Sequence, residues 1–213
     1  MIRKRSLLLP TLEFEKILWK ENFTRIAGID EAGRGAWAGP VCAAAVILPV
    51  RSSIARTLKG VRDSKLMSPP EREAWAPSIR EAALAWGIGF ASAREIDDLG
   101  IVPATKLAAV RALSSLSPDY LLTDALLFRE IELTQTSLIK GDQRSLSISA
   151  ASVLAKTARD EHMRRLDDVH PGYSFTRHKG YGTRLHRQAL LDLGTCLEHR
   201  RSFTLPIVPQ IPP

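Results

Sequence analysis

What the chain lacks narrows it first. No apolar run among its 213 residues approaches the roughly 20 that a membrane-crossing helix needs. The start, MIRKRSLLLP, is basic and then only briefly apolar; three leucines are too few for a signal-peptide core, and no small-residue cleavage site follows. There are two cysteines, Cys42 and Cys196, with neither metal-ligand spacing nor a disulfide framework. These absences predict a soluble, cytoplasmic protein with no membrane partner and two idle thiols. Internal repeats and long linkers are missing too, so one structural domain and a monomer are expected.

Charge says more about partners. The net charge is +7 and the pI about 9.7, a surplus that favours polyanions. Its basic end is C-terminal: between His170 and Arg201 there are six Lys or Arg (177, 179, 184, 187, 200, 201) against two acids, and all five histidines follow residue 160. Histidines 162, 170, 178 and 186 recur every eight residues, but Pro171 and Gly172 break any single helix there, and the spacing reads as coincidence.

Periodicity gives the elements. Residues 12–21 have helical spacing; 26–31 read as a strand, and 40–49, PVCAAAVILP, as a buried strand bounded by prolines. Helical spacing follows Pro69 to Leu84, a third strand runs over 86–93, and an amphipathic helix spans 103–116 with proline in its first turn. Short strands at 120–123 and 138–140 lead to Asp124 and to Gly141-Asp142. A long helix over 147–169 opens on small residues that let it lie close against a sheet, a further helix covers 183–193, and SFTLPIVPQIPP is a proline-rich tail. This order predicts an α/β protein with a mixed sheet and helices on its faces.

Four acids follow predicted strands: Asp30, Glu31, Asp124 and Asp142. Carboxylates crowded together must protonate or share a cation. Oxygen-only ligands select Mg²⁺ or Mn²⁺, and two such ions about 3.5–4 Å apart suit phosphodiester hydrolysis. Neighbours on a regular strand face opposite ways. Either the strand ends or bulges at Asp30-Glu31, or one of the two reaches metal by a different route. Beside them, Gly28 to Gly33 has the glycine spacing of a P-loop but lacks its Lys-Ser/Thr, and Gly33-Arg34-Gly35 fails as a dinucleotide fingerprint, which needs a following helix. It reads better as a turn whose backbone approaches a nucleic-acid sugar, with the ribose 2′-hydroxyl within its reach.

GIDEAGRGAWAGPVCAAAVILP closely resembles the opening signature of bacterial ribonuclease HII. So do Asp63-Ser64-Lys65, Ala104-Thr105-Lys106, Lys140-Gly141-Asp142, Ser149-Ala150-Ala151-Ser152 with Ala155-Lys156, His178-Lys179-Gly180-Tyr181-Gly182-Thr183, and His199-Arg200 with Ser202-Phe203. The matches run in order from about residue 12 to 204. The resemblance implies a ribonuclease H-like fold with a central mixed five-stranded sheet: a lead segment over 1–24, a catalytic core over 25–172 and a C-terminal helical substrate-binding segment with the tail over 173–213. It implies cleavage of RNA in RNA–DNA hybrids and 5′ of single ribonucleotides in duplex DNA, leaving 3′-hydroxyl and 5′-phosphate, with a role in ribonucleotide excision repair and RNA primer removal. It places two metal ions on Asp30, Glu31, Asp124 and Asp142, the 2′-hydroxyl reader at Gly33, Arg34 and Gly35, and a sugar-stacking ring at Tyr181. Ser64 and Lys65 would lie along the substrate backbone, while His178, Lys179 and Arg184 would bind phosphate by charge.

The chain departs from the family pattern at Ala36, where proline is common, at Ala125, where glycine often follows the third acid, and at Ser149, where alanine is common. Ala36-Trp37 suggests a less rigid turn with added apolar contact. The alternatives are a non-catalytic hybrid-binding module and the sibling ribonuclease HIII, which carries an extra N-terminal domain and usually glutamate as its fourth acid. Here about 24 residues precede the first motif and the fourth acid is Asp142. No clamp-binding peptide is evident in PIVPQIPP.

Overall fold

The computed structural model describes residues 9–205. In chain order it contains α1 (Glu13–Lys20), β1 (Ile26–Ala32), β2 (Val41–Ile47), one-turn α2 (Ile54–Thr57), a 3-10 turn at Ser64–Leu66, α3 (Pro69–Ala82), β3 (Ala85–Ala91), α4 (Ala93–Leu99) and α5 (Ile101–Leu113). Then follow β4 (Tyr120–Asp124), β5 (Gln135–Leu138), a 3-10 turn at Gly141–Gln143, α6 (Leu146–Val169), one-turn α7 (Phe175–His178) and α8 (Arg184–Leu193). The strands form one sheet in the order β3-β2-β1-β4-β5. β1, β2 and β3 pair antiparallel, whereas β4 and β5 run parallel to β1. This is the expected mixed five-stranded sheet. Among the described residues no helix is long and apolar enough to cross a membrane.

The alternation of side chains along β2 explains the layers. Cys42, Ala44 and Val46 pack with residues of α3 and α6, whereas Val41, Ala43, Ala45 and Ile47 pack with α5. A strand buried on both faces reads as continuously apolar, which is why VCAAAVI was conspicuous. Its alanines also let both helices lie close. On β1, α6 comes close at Gly28, where a Cβ would fall 2.3 Å from the Ser147 carbonyl carbon and 2.4 Å from the Ile148 nitrogen. The C-terminal helices cover the far part of α6 through Met163, Tyr173, Phe175 and Ala189.

Two sequence expectations change. The strand expected at 138–140 is Gln135–Leu138, and Ile139 beyond it is 78% exposed. As a partly exposed edge strand with polar residues, QTSL carries little apolar periodicity. Helix α4 was not expected at all. It rests on a capping box in which the Ser92 side chain accepts from the Glu95 N–H at 3.2 Å and Glu95 Oε2 accepts from the Ser92 N–H at 2.8 Å. Only Ala93 and Ile96 of AREIDDL are buried, so its apolar signal is thin. One-turn α2 and α7 were also not expected, and the remaining elements shift by a few residues at their ends. Most of the proline-rich tail lies outside the described residues.

Two departures from the family pattern carry a visible cost. Ala125 has φ +55°, a left-handed conformation unfavourable for alanine, and the buried Ser149 hydroxyl has no hydrogen-bond partner among the described residues. Ala125→Gly and Ser149→Ala are each expected to stabilise the protein by about 1 kcal/mol, read as a higher urea midpoint with an unchanged slope. Lower midpoints in both would contradict this account.

Candidate active site

The carboxylates converge because of strand register. β1 and β4 are parallel with Ile29 beside Thr123, so the next pair, Asp30 and Asp124, lies abreast on one face. Asp142 enters from the turn after β5, which is held by the Gly141 N–H donating to Asp124 Oδ1 at 2.8 Å. Carboxylate oxygens of Asp30, Asp124 and Asp142 all lie within 4.8 Å of one another.

Glu31 is not in that group. β1 neither ends nor bulges there: the ladder continues through Asp30–Ala44, Glu31–Ala43 and Ala32–Cys42. The two neighbours therefore face opposite ways, and Glu31 Oε1 instead accepts from Arg34 Nη1 at 3.3 Å. Of the arrangements open from the sequence, a different route for Glu31 remains.

The electrostatics fit a cation. Asp30 is 3% exposed, and its Oδ2 has no hydrogen-bond partner among the described residues. Burial, followed by the Glu31 charge, raises its pKa well above the ordinary carboxyl value. Burial and the charges of Asp63 and Asp124 raise that of Asp142. Burial also raises Glu31, against the opposing charge of Arg34. Lys65 Nζ lies 3.2 Å from Asp142 Oδ2; partial burial lowers its pKa, but Asp142, Asp30 and Asp63 outweigh that and raise it. A buried orphan oxygen within a self-repelling, oxygen-only cluster is suited to a hard divalent ion.

The glycine-arginine-glycine turn is held from behind. Gly33 has φ +94°, and a Cβ on it would fall 1.9 Å from Arg159 Nε. Arg200 is fully buried and donates to the carbonyls of Gly33 (2.7 Å), Arg34 (2.8 Å) and Gly39 (2.9 and 3.0 Å). Arg159, also fully buried, donates to the carbonyls of Pro40 (2.9 Å), Ala38 (3.2 Å) and Lys179 (2.9 Å). The Trp37 N–H donates to the Gly180 carbonyl at 2.8 Å. Thus the segment 33–40 and the HKGYGT loop are tied together, with the Tyr181 ring over Arg159 at 5.4 Å and Lys156 at 5.6 Å. The expectation of a less rigid turn at Ala36 is not met, since Arg200 fixes the carbonyls around it. Trp37 packs inward against Gly182 and His186.

Two expected substrate contacts are placed elsewhere. Ser64 is 4% exposed, and its hydroxyl accepts from Ser152 Oγ at 2.8 Å, so it joins the 3-10 turn to α6. His178 is 7% exposed, with Nε2 2.7 Å from the Tyr173 carbonyl; burial lowers its pKa, which leaves no charge to offer a phosphate. Lys179 is half-buried, and its ammonium donates to the Thr176 carbonyl. Arg34 is partly exposed, and Gly35 and Arg184 are exposed. The functional residues missed as such in the sequence are Arg159 and Arg200. Arg200 counted toward a solvated basic end, and nothing local marks either as buried.

The sequence family model for ribonuclease HII matches residues 27–205. The chain is 51% identical over 195 residues to the ribonuclease HII of Synechococcus sp. (strain JA-3-3Ab), covering 91% of this chain and 88% of that protein. It is 50% identical over 192 residues to that of Moorella thermoacetica, covering 89% and 91%. Among solved structures, the complex of PCNA and RNase HII from Archaeoglobus fulgidus aligns with a TM-score of 0.71 at 25% identity, covering 82% of this chain and 91% of that chain.

Two outcomes test the electrostatics. A carboxyl whose folded pKa is raised contributes stability that is complete below its unfolded value, about 3.9, and lost as pH rises through the folded one. Asp30→Asn is therefore expected to raise the melting temperature at pH 7.5 in chelator and to shrink the further rise caused by Mn²⁺. A lower melting temperature with a full Mn²⁺ response would remove Asp30 from the ligand set. Buried His186 and His199 act with the opposite sign. Burial lowers both from 6.5 to about 4, so their contribution is complete above pH 6.5 and lost as pH falls toward 4. The unfolding free energy of the wild type, minus that of a His186→Phe/His199→Phe variant, should fall by up to about 1.4 kcal/mol per pH unit per histidine in that window. A flat difference would show that the imidazoles do not remain neutral in the folded protein.

Proposed function

Because this chain belongs to the ribonuclease HII family, and is a hydrolase of the ribonuclease H type that acts on nucleic acid, we propose a finer reading of its site. It cuts the RNA strand of RNA–DNA hybrids and, in duplex DNA, cuts on the 5′ side of a single embedded ribonucleotide, leaving 3′-hydroxyl and 5′-phosphate. Such a reaction serves ribonucleotide excision and primer removal. The observation that carries the reading is the placement of Asp30, a member of the three-acid cluster, three residues before the glycine-arginine-glycine turn on one strand-turn segment.

Asp30, Asp124 and Asp142 would hold divalent metal, Mg²⁺ or Mn²⁺, and Glu31 would be a fourth ligand once freed of Arg34. Bound ions supply Lewis acidity to the water and to the departing oxygen. The chain's own residues do the rest. Gly33 and Gly35 bring backbone groups close to the sugar at the scissile bond, and Arg34 offers a guanidinium to an adjacent phosphate once it leaves Glu31. Tyr181, rigidly backed by Arg159 and Lys156, presents its ring to the sugar beside the junction. Lys65 guards the cluster edge, while Lys179 and Arg184 add phosphate contacts that weaken with salt. The protein works as a monomer on these substrates. The clustering of the acids weighs against a decayed, binding-only module, and the match to the ribonuclease HII family over residues 27–205 weighs against the sibling ribonuclease HIII.

The test is a labelled DNA duplex carrying one ribonucleotide, compared with all-DNA duplex, in Mg²⁺, Mn²⁺ or chelator. A single metal-dependent cut 5′ of the ribonucleotide is expected. Asp124→Asn should abolish the cut and leave binding within a few-fold, and normal turnover in that variant would refute the metal assignment. Tyr181→Ala should lower the preference for the single-ribonucleotide duplex over a long hybrid by about tenfold, equivalent to about 1.4 kcal/mol, with little change in melting temperature. An unchanged preference would remove Tyr181 from the reader.

A further inference from the structure

We propose that His199 and His186 form a proton-ordered chain that positions Tyr181, and thereby sets the preference for a ribonucleotide junction over a long hybrid. This rests on the reading of Tyr181 given above; neither histidine contacts the acids, and both act through the loop.

The direction of the chain follows from its ends. The Cys196 N–H donates to His199 Nδ1 at 2.9 Å, so that nitrogen carries no proton. The His199 proton is then on Nε2, 3.0 Å from His186 Nε2, which must accept. The proton of His186 is left on Nδ1, 3.1 Å from the Tyr181 carbonyl, to which it donates. One tautomer of each ring satisfies all three contacts, and a second proton on either ring would set two donors against each other. A parallel contact secures the other end of the same dipeptide. His178 donates from Nε2 to the Tyr173 carbonyl and accepts on Nδ1 from the Gly180 N–H at 3.1 Å. The Gly180-Tyr181 unit is thus bracketed by two imidazoles, while the Gly180 carbonyl receives Trp37 from the glycine-arginine-glycine segment.

The surroundings favour neutral rings. His178 stacks on His186 at 4.3 Å, Phe175 meets both edge-on, and Tyr173 and Phe175 lie within 5.8 Å of His199. The charged or titratable groups nearby are Cys196, whose sulfur is 3.2 Å from His199 Nδ1, Tyr173, whose hydroxyl donates to the Gly194 carbonyl, and Arg187, which lies over Trp37. His170 adds a charge toward His199, and Asp167 and Lys179 act on His178. Among the described residues no carboxylate bonds to either chain histidine to stabilise an imidazolium, and burial holds both pKa values at about 4.

The experiment uses the full-length protein with His199→Phe, which keeps a ring and removes the chain, and His199→Gln, whose amide can donate to neutral His186 or turn its oxygen toward a protonated one. The readouts are the kcat/KM ratio of single-ribonucleotide duplex to long hybrid from pH 4 to 8, and the imidazole ¹⁵N shifts of the wild type. The ratio cancels effects on the shared metal centre. The wild type is expected to show His199 protonated on Nε2 and His186 on Nδ1, with a ratio that is level near neutrality and falls at the acid end. His199→Phe should lower the ratio at pH 7.5 by about fivefold, the weight of one neutral hydrogen bond, while hybrid kcat/KM stays within about twofold. His199→Gln should retain the ratio and lose its acid fall. Reversed tautomers, an unchanged ratio in His199→Phe, or a Gln variant as poor as the Phe variant would each overturn the proposal. If the wild type cut neither duplex, the functional reading and the role of the chain would fall together; cutting of both with an unaltered ratio would sink the chain alone.

Discussion

The close approach of α6 to β1 is the constraint on which the rest of the molecule depends. Gly28 leaves room for the Ser147 backbone to lie against the strand. The start of the helix is fixed by a buried carboxylate, since Glu15 Oε1 accepts from Ser145 Oγ at 2.6 Å, Ser147 Oγ at 2.7 Å and the Ser147 N–H at 3.0 Å. A negative group at a helix N-terminus is favourable, and here it also joins α1 to α6. From that anchor the helix distributes positions along its length of about 36 Å. The Asp142 turn precedes it, Ser152 holds Ser64, Lys156 and Arg159 back Tyr181, and Met163 receives the C-terminal helices.

The two parts of the site solve opposite electrostatic problems. The acids are pressed together, and the Lys65 ammonium beside Asp142 offsets their repulsion only in part, so added positive charge is favourable. The buried arginines are cations whose hydrogen bonds all go to backbone carbonyls, an arrangement that fixes backbone geometry without neutralising charge. A planar guanidinium with several donors can hold carbonyls from different segments at once. Lysine, with one ammonium on a flexible stem, cannot reproduce that fork.

Much of this was legible in the sequence for identifiable reasons. The buried β2 is a continuous apolar run, and Asp30 and Asp124 end such runs, so local pattern suffices to find them. β5 and α4 were lost or displaced because an exposed edge strand and a short polar helix carry little periodicity. Which way Asp30 and Glu31 face was open, because it depends on whether the β1–β2 ladder stays regular, a pairing property. Ser64 and His178 were expected at the substrate, along its backbone and at a phosphate. Their burial depends on partners 88 residues away in Ser152 and on the aromatic packing of Phe175 and His186. Arg159 and Arg200 were hidden for the same reason, since a sequence records a charge but not the carbonyls that surround it.

The arginine clamp also bears on how the chain folds. Arg200 closes onto Gly33 across 167 residues, and Arg159 onto Ala38 across 121. Contacts at such separations carry a loop-closure cost that the sheet and α6 must offset. The shape of the turn after β1 thus depends on a residue 167 positions further along the chain.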